Sequence, residues 1–185
     1  MFTFKVDEQI ELRLLEDNDA EPLFALVDKQ RSYLREWLPW VDGVTSAANY
    51  SSTIKMWRKQ FADNDGFQAG ILYQQELCGM VGFHSYHWAN RSTSIGYWLS
   101  KDFQGKGIMT RACQAIIRYA FSSLHMNRIE IRCAEENHKS RAIPERLGFK
   151  KEGTVRDGEF LYDHFVNTII YSLLKEDWKK LQQKS

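Results

Sequence analysis

The chain has 185 residues, enough for one sizeable core and too few for two comfortable domains. Its 25 basic and 24 acidic residues leave a formal net charge of +1, which gives no global electrostatic case for a nucleic-acid or anionic-membrane partner. With 43% hydrophobic residues, no apolar leader after the charged N-terminus and no run approaching 18 apolar residues, a soluble, cytoplasmic chain is expected.

Ile10 to Leu15 alternates apolar Ile10, Leu12 and Leu14 with Glu11 and Arg13, predicting a first strand. Asp17 to Gln30 follows as a helix, capped by Asp17 or Asn18, with Leu23, Leu26 and Val27 on one face. A second helical stretch, about Arg31 to Trp37, stops at Pro39, and Ser46 to Asp63 carries Ile54, Trp57 and Phe61 at helical spacing. Phe67 to Tyr73, Leu77 to Trp88 and Thr93 to Leu99 read as a strand meander. Ile108 to Leu124 is the clearest helix, with Ile108, Ala112, Ala115, Ile116, Tyr119 and Ala120 in one stripe. Arg128 to Cys133 alternates as a strand, Phe149 to Val155 and Phe165 to Leu174 follow, and Lys175 to Gln183 closes as a polar helix. A run of strands, then helix, strand, helix and two strands, predicts an α+β domain spanning 1–185 with a mixed central sheet.

Cys78, Cys113 and Cys133 each lie in an apolar segment, lack metal-ligand spacing and read as small buried hydrophobes. His84 and His87, three apart on a strand, point to opposite faces, and His125, His138 and His164 have no partner at ligand spacing, so no metal is expected.

Gln104-Gly-Lys-Gly-Ile-Met-Thr110 stands between a strand and a helix. A glycine turn that opens a helix offers unpaired backbone N–H groups and the positive end of the helix dipole, a site for phosphate or pyrophosphate. The spacing fits neither a P-loop nor a dinucleotide fingerprint. Two glycines alone could equally mark only a helix start.

The turn matches Gln/Arg-x-x-Gly-x-Gly/Ala, and about 30 residues later the chain reads Asn137-His-Lys-Ser140, followed by Leu147-Gly148-Phe149. Together these resemble the pyrophosphate loop and the Asn-x-x-Ser element of the GNAT superfamily of acetyl-CoA-dependent N-acetyltransferases. Ile95-Gly96-Tyr97-Trp98-Leu99, Trp37-Leu38-Pro39-Trp40 and the closing Tyr171-Ser-Leu-Leu resemble, more narrowly, the Rim-type ribosomal-protein N-terminal acetyltransferases. The resemblance implies a mostly antiparallel sheet of about seven strands with helices on both faces. It also implies that the strands at Thr93–Leu99 and Arg128–Cys133 part, so that the pantetheine arm of acetyl-CoA pairs with the first of them.

On that resemblance Tyr97, Trp98 and Leu99 would contact pantetheine, and Gln104, Gly105, Lys106, Gly107, Ile108, Met109 and Thr110 the pyrophosphate. Asn137 would bond backbone or pantetheine, or form an Asx-turn. Ser140 would donate to the departing thiolate, or serve only as an N-cap. Glu159 stands where the Rim type often carries a glutamate and would be the general base, or is a surface glutamate of a hairpin. Trp37 and Trp40 would wall the acceptor groove, or simply pack. The acceptor implied is the α-amine of a protein, a ribosomal one in the Rim type, and the resemblance admits a homodimer. A small amine (polyamine, amino acid or antibiotic) is the alternative acceptor, and a non-catalytic acyl-CoA-binding module the alternative class.

Three residues depart from the pattern. Met109 takes the loop's second Gly/Ala position, and Asn167 replaces the usual Asp before the last strand. Pro144 falls in the helix after Ser140, where it removes an N–H and crowds the preceding turn, predicting a helix that starts late or kinks.

Overall fold

Alternating burial orients the first long strand, next to one edge of the sheet. The computed structural model describes residues 3–183. Ile10–Leu14 (β2) buries Ile10 and Leu12 and pairs antiparallel with Phe67–Tyr73 (β3). Its other edge is covered by Thr3–Lys5 (β1), an unexpected strand whose three residues are all exposed and carry no periodicity. Glu76–His87 (β4), Ser92–Leu99 (β5), Arg128–Ala134 (β6), Lys150–Leu161 (β7) and His164–Leu174 (β8) complete one sheet, ordered β1-β2-β3-β4-β5-β6-β8-β7. Among the described residues the sheet thus has eight strands, one more than the roughly seven expected. Every neighbour is antiparallel except β5 and β6, joined by a helical crossover.

Helices cover both faces. Ala20–Lys29 (α1), Arg31–Leu34 (α2) and Ala47–Ala62 (α3) bury Leu23, Val27, Leu34 and Ile54 with Met80 of β4. Ile108–Ser122 (α4) lies on the opposite face with the main core, burying the predicted stripe except for half-buried Tyr119 and, beyond it, Met109, Cys113, Ile117 and Phe121. Lys175–Gln182 (α6) packs Trp178 against Phe121, ring centroids 5.3 Å apart. All three cysteines are buried. Among the described residues, no helix is long and apolar enough to cross a membrane.

The start of the first helix differs from the reading of Asp17 or Asn18 as cap. A 3-10 turn, Asp17–Asp19, precedes α1, and the Asp19 carboxylate accepts from the Glu16 N–H at 2.8 Å. That carboxylate is also claimed by Arg13, 2.6 Å away and nearly buried. Ion pairing with β2 fixes the entry where local capping preference would have put it one or two residues earlier.

His138–Arg146 (α5) does not start late, as one form of the expectation at Pro144 had it. The helix begins at His138 and runs on through the proline. A proline cannot donate to the carbonyl four residues back, here that of Ser140, but Tyr97 of β5 reaches across and its hydroxyl donates to that carbonyl at 2.9 Å. The lost bond is replaced from outside the helix.

Candidate active site

β5 and β6 pair in parallel only from Ser92↔Arg128 to Ile95↔Ile131. Beyond that point Gly96–Leu99 keeps its ladder with β4 but has no strand on the β6 side, so a run of backbone donors and acceptors faces a gap. The gap opens into a cavity of about 680 Å³, floored by Tyr97, Trp98 and Leu99 and bounded by the Gln104–Thr110 turn, the first turns of α5, and Trp37.

The turn is shaped by its glycines. Gly105 and Gly107 adopt φ of 76° and 69°, and a Cβ on either would meet nothing within 4 Å. Packing does not demand glycine here; the left-handed backbone does. Gly107 is the N-cap of α4, so the N–H groups of the first turn, at Ile108, Met109 and Thr110, have no partner within the helix and line the cavity. Met109 needs no positive φ, because it is already helical, and its side chain is buried beneath the turn.

The predicted residues divide unevenly. Tyr97, Trp98, Leu99, Gln104, Gly105, Gly107, Ile108, Met109, Thr110, Asn137, Ser140 and Trp37 all border the cavity. Lys106 does not: its ammonium lies over the rings of Tyr73 and Phe103, at 5.3 and 5.0 Å. Trp40 is likewise no part of the cavity wall and packs on Trp98, 6.2 Å between centroids. Gln104 spans the opening, donating to the Tyr33 hydroxyl while its oxygen accepts from Lys139 at 3.1 Å.

Lys139, Arg146 and Arg111 also border the cavity, and among the described residues no carboxylate does. Arg111 is paired with Asp7 at 2.7 Å, whereas Arg146 donates to the Thr110 hydroxyl at 2.7 Å. The net charge hides this local excess of cations, which suits a polyanion laid on the helix start. The seven-residue spacing of Lys139 and Arg146, two turns of one helix, was the available signal for them.

Asn137, not Ser140, caps α5: its side-chain oxygen accepts from the Ser140 N–H at 3.0 Å. The Ser140 hydroxyl is therefore left for other partners. Its Oγ lies 3.3 Å from Cys133 Sγ and 3.4 Å from Tyr97 Oη. Burial raises the Cys133 thiol above its ordinary range and holds Tyr97 well above its own. Neither ionises near neutrality, so both present neutral partners to the serine.

Glu159 sits in the β7 arm of the β7–β8 hairpin, half-buried rather than at the surface. Residues 156–158 bulge out between the pairs Val155↔Thr168 and Glu159↔Val166. Asn167 holds the bulge, its oxygen accepting from the Asp157 N–H at 3.0 Å and its amide donating to Glu135 at 2.8 Å. Gly158 passes so near Thr168 that a Cβ would lie 2.4 Å from its Oγ1. Glu159 does not border the main cavity. Its pair Val166 and its same-face neighbour Leu161 line an adjoining groove of about 480 Å³, and Trp37 is common to both walls. Among the described residues no donor or cation stands against the Glu159 carboxylate, and burial alone raises its pKa. The groove is braced by Tyr162, whose hydroxyl donates to the Leu38 carbonyl and whose ring lies 3.8 Å under the Arg35 guanidinium.

A GNAT acetyltransferase domain model matches residues 9–150. The chain belongs to the GNAT acetyltransferases. It is an acetyl-CoA-dependent N-acetyltransferase. It is 47% identical over 180 residues to the putative ribosomal N-acetyltransferase YdaF of Bacillus subtilis, covering 97% of this chain and 98% of that one. It is 30% identical over 174 residues to the ribosomal-protein-serine acetyltransferase of Escherichia coli, covering 92% and 95%. Among solved structures, the microcin C7 self-immunity acetyltransferase MccE, in complex with acetyl-CoA and AMP, superposes with a TM-score of 0.89 at 30% identity, covering 92% of this chain and 95% of that one.

Proposed function

We propose that residues 1–185 act as one acetyltransferase domain that transfers the acetyl group of acetyl-CoA to the N-terminal α-amine of a protein. The observation that carries this reading is Glu159: a half-buried carboxylate with no cation against it among the described residues, whose cross-strand partner Val166 and neighbour Leu161 line a groove that shares Trp37 with the cofactor cleft. An α-amine has a pKa near 7.7–8.0 and a lysine near 10.4, so a lysine needs about 3.5 kcal/mol more to lose its proton. One carboxylate with a raised pKa is matched to the first task and weak for the second. Two relatives that carry ribosomal-protein names support a ribosomal acceptor.

In this reading the first-turn N–H groups of α4, with Lys139 and Arg146, bind the phosphates, and the open edge of Gly96–Leu99 pairs with pantetheine. Glu159 takes the proton of the entering ammonium, and the freed amine attacks the thioester carbon. Backbone N–H groups of β5 stabilise the developing oxyanion. As the carbon–sulfur bond breaks, the Ser140 hydroxyl turns its hydrogen bond to the departing sulfur, and the proton shed by the new amide nitrogen passes to the thiolate. A thiolate with a pKa of about 8.5 requires no stronger acid at neutral pH.

The similarity to MccE supports a second reading, a small-molecule amine as acceptor. Mass spectrometry after incubation with acetyl-CoA and a mixed panel separates the two. The panel holds peptides with free N-termini, N-blocked peptides containing lysine, and small amines. Acetylation confined to free peptide α-amines is expected; modification of small amines or lysines alone would sink the α-amine reading.

A further inference from the structure

We propose that Tyr97 is the positioning residue for the Ser140 hydroxyl, and that Pro144 ties it to that task. The inference rests on the reading that Ser140 serves the departing sulfur. Tyr97 lies two residues past the last β5–β6 pair, where the strands have parted, so its side chain bridges β5 to α5 across the apex of the gap. Its single proton goes to the Ser140 carbonyl at 2.9 Å, the carbonyl that would accept a helical N–H from residue 144 if that residue were not proline. Toward the Ser140 hydroxyl, 3.4 Å away, the phenol oxygen is then left as an acceptor.

One phenol oxygen thus grips both the carbonyl and the hydroxyl of the same serine. With Asn137 holding its N–H at 3.0 Å and Cys133 Sγ at 3.3 Å from its Oγ, Ser140 is fixed on every polar group it has. The two partners of the hydroxyl proton differ from the others in kind. The phenol oxygen lies at the long end of O–H···O bonding and a thiol sulfur is a weak acceptor at any length, so the proton is aimed but weakly held, and a thiolate would take it readily. Pro144 makes this arrangement dependent on Tyr97, because no backbone donor in α5 can relieve the phenol of the carbonyl.

A double-mutant cycle of Tyr97→Phe and Pro144→Ala separates positioning from packing. Phenylalanine keeps the ring, and Pro144→Ala restores an N–H for the Ser140 carbonyl. With Pro144 present, Tyr97→Phe should lower Tm by about 4 °C, and by much less in the Pro144→Ala background. In both backgrounds kcat should fall about tenfold while the Kd for acetyl-CoA stays within about twofold. Equal Tm losses in the two backgrounds would overturn the tie. Recovery of full kcat in the double variant would make Tyr97 merely structural, as would unchanged kcat in Tyr97→Phe. The rate is read on whichever amine of the panel is acetylated. A different acceptor therefore counts against the α-amine reading and leaves the cycle readable.

Discussion

Glu159 is held in a state that works against folding, and the sign of that effect gives a test at the residue scale. Burial raises its carboxyl above the usual 4.5, so the folded chain binds this proton more tightly than the unfolded one. The ionised form is therefore disfavoured by folding above the raised pKa, and the penalty fades as pH falls through it. Glu159→Gln removes the charge and should leave Tm at neutral pH unchanged or slightly raised, while kcat drops roughly 100-fold. In the parent, kcat should decline with acid through a midpoint above 4.5, and that limb should vanish in the variant. A variant that loses Tm together with activity, or keeps the acid limb, would assign the base elsewhere.

At the scale of elements, the bulge at 156–158 depends on an amide where the wider family usually has a carboxylate. Asn167 donates to Glu135 and accepts from Asp157, a pair of roles that an ionised aspartate cannot fill. Asn167→Asp would return the usual residue and yet set two carboxylates within about 3 Å, raising the pKa of one. The expected loss is about 1 kcal/mol at neutral pH, relieved as pH falls and one carboxyl takes a proton. Chemical denaturation at pH 5 and pH 8 measures it; equal losses at both would show that charge is not the cause. The same element marks where the sequence stopped being readable. The glycine turn and the α4 stripe were legible because left-handed backbone and a 3.6-residue period are local properties. Arg156-Asp157-Gly158 reads locally as a turn, and only pairing with β8 makes it a bulge inside a long strand. β1 is too short and too exposed to leave a pattern, and Pro144 is tolerated through a tyrosine more than 40 residues away in sequence.

For the molecule as a whole, the formal charge of +1 conceals oppositely charged linings in two neighbouring cavities. Among the described residues the cleft beside α4 is bordered by Arg111, Lys139 and Arg146 and by no carboxylate, whereas the groove beyond Trp37 is bordered by Glu36, Glu136 and Asp163 with Arg35 and His164. Arg35 is already engaged by Asp42 at 2.9 Å and by the Tyr162 ring, and His164 by Asp163 at 2.8 Å. A polyanion and an ammonium would thus meet opposite fields from two sides of one tryptophan, which orders two charged substrates without any global charge. Screening should act on the two sides separately. Lys139→Ala and Arg146→Ala should each weaken acetyl-CoA binding about three- to tenfold and flatten its dependence on salt. Neither should alter the binding of acetyl-pantetheine, which carries no nucleotide phosphates. Calorimetric titration of both ligands between 50 mM and 500 mM salt, taken as roughly bracketing the physiological range, reads this directly. A matching loss for acetyl-pantetheine would mean that the two cations hold α5 in place rather than the phosphates.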